Sequence, residues 1–302
     1  MFTPQGVIPA LVTPLDSDGG LMEDALRNVI DFTIAGGVHG IFVLGSSGEI
    51  YGLDDAQKRR VVEISAEHIN GRVPLYAGAS EITTRDAIKT ARMVQSIGGV
   101  TALSVLTPYF MTPTQSELVE HFTAIAASTD LPILLYGNEG KTHVKITVET
   151  AVALSAVENI IGIKDSSGDM SLMLDYLSTA PDGFSILAGR DTLIYAGLCH
   201  GATGAIASTA NIAPRLVAEI YNAFIAGDHT RALELQFALI PLRKVLDAAT
   251  FPVVLKEGLR LAGIDAGYCL APARELAPDK RERLAAVIAD IGNLPGLAEK
   301  EE

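Results

Sequence analysis

The segment Ile160–Asp169, IIGIKDSSGD, puts an amine directly behind a run that reads as the buried middle of a β-strand. A lysine there loses hydration. It must either find a carboxylate or shift towards the neutral amine, a nucleophile that attacks carbonyls and forms a Schiff base. Asp165 is no candidate partner, because successive strand side chains point to opposite faces. The competing reading is a lysine that snorkels to solvent past the strand end. GSSGE, residues 45–49, adds the hydroxyls of Ser46 and Ser47 and backbone N–H groups that glycine frees to cradle a carboxylate, although a plain loop shares that composition. Tyr136 closes another strand-like run. Its phenol can relay a proton to a carbinolamine, or simply sit at a rim with its hydroxyl bonded.

Other motifs carry less. GNEGKT, residues 137–142, lacks the glycine that a phosphate-binding P-loop needs at position 135, which is Leu135. GATGA, residues 201–205, reads as a tight helix-to-strand turn. The six histidines are scattered, no metal-ligand spacing is present, and no metal is expected.

These residues sit in a regular alternation. Eight mostly apolar runs, at 7–14, 40–47, 73–79, 101–109, 131–137, 160–165, 184–190 and 203–210, read as parallel strands buried on both faces. Helix-like stretches separate them, one from Asp54-Asp55 to Asn70-Gly71, another from Thr83-Thr84 to Gly98-Gly99. Eight such units predict an α/β fold, a closed (β/α)₈ TIM barrel over residues 1–227, with a doubly wound open sheet as the weaker alternative. Residues 228–302 hold helical runs without strands and predict a small C-terminal helical domain packed on the barrel or on another subunit. In such barrels the chemistry sits at the C-terminal strand ends. Those ends carry Ser46 and Ser47, Tyr109 and Phe110, Tyr136, Lys164, Arg190 and Asp191, and Ser208.

Composition narrows the class. The 302 residues carry a formal net charge of −13 with dispersed basic residues, so a nucleic-acid footprint is not expected. Cys199 and Cys269 have no CxxC spacing and read as buried cytosolic thiols. The N-terminus has no positive region ahead of its apolar stretch, and a long run without Asp, Glu, Lys or Arg, 192–214, is broken by polar residues. A cytoplasmic protein, neither secreted nor membrane-bound, is expected.

Taken in order, VTPLDSDGGL, GSSGE, TPYF, LLYGN, GIKDSSGD, AGRD and GAIASTAN resemble the dihydrodipicolinate synthase/N-acetylneuraminate lyase family of class I aldolases over nearly the whole chain. The resemblance implies a homotetramer built as a dimer of dimers, and a lyase with no cofactor beyond a covalent Schiff base on Lys164. It makes Lys164 the residue that captures pyruvate or another 2-oxo acid, and Tyr136 the proton donor and acceptor. Ser46 and Ser47 become the pair that holds the 2-oxo acid carboxylate, Ser47 with a share in the relay. Ile206 lines the pocket through its carbonyl, beside Tyr109.

Two departures bear on the second substrate. Family synthases carry a second tyrosine that crosses the dimer interface, where this chain has Phe110. They also carry an arginine for the aldehyde's carboxylate, where this chain offers Lys141, a point charge in place of a planar fork. The expected reaction is therefore aldol cleavage or condensation of a hydroxy-2-oxo acid, from pyruvate and an aldehyde. The alternatives are 4-hydroxy-tetrahydrodipicolinate synthesis, dehydration of a 2-keto-3-deoxy sugar acid, and a 2-oxo acid binding protein without turnover.

Overall fold

Each apolar run forms a strand in the computed structural model, which describes residues 2–297. The strands are β1 (Gly6–Pro9), β2 (Ile41–Val43), β3 (Leu75–Gly78) and β4 (Ala102–Leu106), then β5 (Ile133–Gly137), β6 (Ile160–Asp165), β7 (Ser185–Ala188) and β8 (Gly204–Ala207). All neighbours pair in parallel, in the order β1-β8-β7-β6-β5-β4-β3-β2. A parallel bridge between Ala10 and Phe42 joins the two ends and closes the barrel. Most strands are shorter than the apolar runs, because part of each run belongs to the loops at the strand ends.

The helices begin where the sequence signals them. Asp54 and Gln57 form a reciprocal capping box ahead of helix Asp55–Ile69. Thr83 caps Thr84–Ile97, and Thr114 with Glu117 forms a second box ahead of Gln115–Ala126. Their apolar faces bury against the outside of the barrel in one large core. A separate, smaller core fills the inside, where Ile8, Phe42, Tyr76, Leu134 and Ile206 meet. Phe2 packs on Tyr76 and plugs its lower end.

Helices His229–Val245, Val253–Leu261 and Pro278–Gly292 follow the barrel's last helix, Pro214–Ile225. The first of them lies along that last helix, so this helical part packs on its own barrel. The final residues of the expected C-terminal domain, 298–302, lie outside the described residues. No described helix is long and apolar enough to cross a membrane. One expectation fails: Cys199 is exposed and Cys269 half-buried. Cys199 ends the short helix Ile194–Cys199, whose buried positions are Ile194, Gly197 and Leu198, so the thiol lies off the packed face.

Candidate active site

The path of β6 decides where Lys164 points. Ile133 on β5 pairs with Ile160, but the next residue, Leu134, pairs with Gly162, so the ladder skips Ile161. Such a bulge re-aims the side chains that follow it. Gly162 is required here, because a Cβ would stand 2.3 Å from the carbonyl oxygen of Ser185. Beyond the bulge, Tyr136 and Lys164 are register partners and both face inward. Lys164 is 5% exposed, with Nζ 3.8 Å from the Tyr136 ring centroid and 5.5 Å from that of Phe42.

Among the described residues no ion pair involves Lys164. Asp165 points the other way, as strand alternation requires, and its carboxylate accepts from the N–H and the hydroxyl of Ser167 at 2.9 and 3.0 Å. Burial holds the Asp165 carboxyl above the usual carboxylate range.

A cavity of about 510 Å³ opens above Lys164, and Tyr136, Ser46, Ser47, Ile206 and Lys141 line it with that lysine. Burial would raise the Tyr136 phenol. The Lys164 amine opposes it, aided by hydrogen bonds with Ser46, Asn138 and Lys164, and the phenol ends below its ordinary value. Asn138 donates to the phenolic oxygen at 3.1 Å. Ser47 is buried, and the loop it shares with Ser46 turns tightly, Gly48 N–H donating to the Gly45 carbonyl. The N–H groups of Ser46 and Ser47 themselves have no acceptor among the described residues, which leaves them free for an anion.

Lys141 stands at the mouth on the short helix Glu139–Thr142, its Nζ 4.8 Å from the Phe251 ring centroid. Tyr109 does not line the cavity. Its phenol is half-buried, and burial followed by the nearby Glu81 raises its pKa. Phe110 beside it is 98% exposed, with a left-handed φ of 74°.

The cavity also holds groups not singled out from the sequence. Asn138 stands two residues beyond Tyr136 in LLYGN, a signal present but unread. Arg243 and Phe251 close the mouth from the C-terminal helical part, and only the folded chain brings them there. Arg243 pairs with Asp247 at 3.1 Å, which ties one cation of the mouth to a carboxylate.

Comparison with known proteins gives the family. The family model described as the dihydrodipicolinate synthetase family matches residues 3–291. A 4-hydroxy-tetrahydrodipicolinate synthase of Methanopyrus kandleri is 37% identical over 97% of this chain and 98% of its own length. The dihydrodipicolinate synthase structure from Aquifex aeolicus superposes with a TM-score of 0.91 at 32% identity, over 95% of this chain and 97% of that one. YagE, an Escherichia coli K12 prophage protein of the same family, was solved in complex with pyruvate. It superposes at 0.92 with 27% identity, covering 95% of this chain and 98% of YagE.

Proposed function

The chain belongs to the dihydrodipicolinate synthetase family of carbon–carbon lyases, and from that premise we propose that it cleaves or forms hydroxy-2-oxo acids through a Schiff base on Lys164. The observation that carries the reading is the pairing of Lys164 with Tyr136, a buried amine against a phenol held below its ordinary pKa. Once deprotonated, Lys164 adds to the C2 carbonyl and a proton passes from its nitrogen to the oxygen, giving a carbinolamine. Tyr136 then protonates the hydroxyl, which leaves as water, and an iminium and the Tyr136 phenolate remain. With the C4 hydroxyl proton passed back to the Tyr136 oxygen, the C3–C4 electron pair flows into the iminium and an aldehyde departs. The enamine then takes a proton at C3, and hydrolysis releases pyruvate and frees Lys164. The free N–H groups and hydroxyls of Ser46 and Ser47 suit the substrate carboxylate, and no cofactor is needed because the iminium is the electron sink.

YagE's complex with pyruvate supports the 2-oxo acid. Lys141, Ile206 and Tyr109 complete the proposed binding set, with Tyr109 acting from beside the cavity. The working form is a cytoplasmic dimer of dimers, and the bare ring of Phe110 supports burial against a second copy. A second reading, 4-hydroxy-tetrahydrodipicolinate synthesis, is favoured by the relative from Methanopyrus kandleri. Incubation with a panel of 4-hydroxy-2-oxo acids should release pyruvate from at least one. Silence across the panel, together with brisk condensation of pyruvate and aspartate semialdehyde, would replace the first reading with the second.

A further inference from the structure

Glu49 is a charged residue where burial would not predict one. It is 1% exposed, it ends the Ser46–Ser47 loop, and its φ of 54° lies in the left-handed region that side chains avoid. Such a conformation persists only where the surroundings over-determine it. Its carboxylate meets the Lys256 amine at 2.7 Å, and Lys256 is equally buried. Glu49 also accepts from the Leu270 N–H at 2.8 Å, while Lys256 donates to the Tyr268 carbonyl. Lys256 belongs to helix Val253–Leu261, in the C-terminal helical part. The segment carrying Tyr268 and Leu270 is itself fixed to the barrel, because the Tyr268 N–H donates to the Leu15 carbonyl at 2.6 Å. From the other side, the Thr13 hydroxyl donates to the Gly48 carbonyl at 2.8 Å.

We propose that Lys256 and Glu49 are positioning residues, an ion pair through which the C-terminal helical part holds the Ser46–Ser47 loop in the shape that receives the 2-oxo acid carboxylate. This rests on the function proposed above. The Glu49 N–H donates to the Ser46 carbonyl at 3.3 Å, so the turn at Glu49 fixes the backbone that carries the Ser46 and Ser47 N–H groups. No apolar side chain could bind both the Lys256 amine and the Leu270 N–H. Well-packed apolar residues often replace a buried ion pair without loss of stability, so stability alone does not account for this one. Neither residue lines the cavity.

The test is borohydride capture of pyruvate as a function of pyruvate concentration, in the wild type, in Glu49→Gln, and in Glu49→Gln/Lys256→Met, which leaves no charge stranded. In whichever variant keeps its circular dichroism and cooperative melting, the half-saturating pyruvate should rise at least about fivefold. Capture at saturation should still reach one adduct per chain, since Lys164 is untouched. A purely structural pair would lower the melting temperature and leave the half-saturation point alone, and any smaller rise in a folded variant overturns the proposal. Should neither variant fold, hydrogen exchange on the wild type decides. The Gly48 and Glu49 amides should exchange at least about a hundredfold slower than an unstructured peptide before pyruvate is added, and exchange at peptide rates overturns it. A wild type that captures no pyruvate would defeat the proposed function itself. A wild type and folded variants that capture it alike would defeat only this inference.

Discussion

Lys164 and Tyr136 stand at one register step on adjacent strands, amine over ring at 3.8 Å. The pairing follows from the skipped Ile161, because only after that bulge do β5 and β6 present these two side chains to the same interior face. Burial alone would push the phenol pKa up. The amine and the bonds with Ser46 and Asn138 reverse that, which suits the phenol to the donor-and-acceptor role proposed above.

Borohydride with pyruvate should therefore add one reduced pyruvyl group per chain, on the peptide containing Lys164. Lys164→Ala should abolish the label. Label on Lys141, the other lysine lining the cavity, would assign the nucleophile to the wrong strand.

Tyr136→Phe should keep the fold and the pyruvate adduct but lose about 10²–10⁴-fold in turnover, the usual contribution of a general acid–base group. Steady-state rates alongside adduct mass separate the two effects. An unimpaired rate would transfer the relay to Ser47 or to water.

Much of the candidate site's placement was legible in the sequence because its groups lie at strand ends. Lys164, Tyr136 and the Ser46–Ser47 pair each follow an apolar run, and strand periodicity alone separated Lys164 from Asp165. What stayed hidden depends on long-range packing. The Glu49 carboxylate meets Lys256 across most of the chain's length, and Arg243 reaches the mouth only because helix His229–Val245 lies over the barrel. The bulge at Ile161 was also invisible, since IIGI reads as an unbroken strand. Cys199 misled because its apolar neighbours belong to a helix of only six residues, whose last position lies off the packed face.

His121 offers a stability prediction. It is 6% exposed, its Nδ1 lies 2.9 Å from the Thr84 hydroxyl, and burial lowers its pKa from 6.5 to about 4. Between those values the unfolded chain binds the proton and the folded chain does not, so stability falls as pH drops. The contribution is whole above pH ~6.5, and about 3 kcal/mol has gone by pH ~4, at 1.36 kcal/mol per unit. Urea titrations across that window should show the slope in the wild type and a flatter one in His121→Gln. Equal slopes would mean that other groups drive the acid sensitivity.

The last prediction concerns the aldehyde partner. Lys141 reaches the mouth as a single-point cation above the Phe251 ring, and Phe110 carries no phenol to extend a proton relay. A lysine attracts a carboxylate but does not fix its plane as a guanidinium does, and condensation followed by ring closure needs that orientation. Pyruvate release from a 4-hydroxy-2-oxo acid should then exceed condensation with aspartate semialdehyde by at least about tenfold in kcat/KM. That ratio is about 1.4 kcal/mol of transition-state stabilisation, within what one lost bidentate contact accounts for. A lactate dehydrogenase couple follows the first reaction and a dihydrodipicolinate reductase couple the second. Lys141→Arg should narrow the ratio by restoring the fork. If the semialdehyde proves the better substrate in the unmodified chain, a lysine suffices at this position and the enzyme is a 4-hydroxy-tetrahydrodipicolinate synthase.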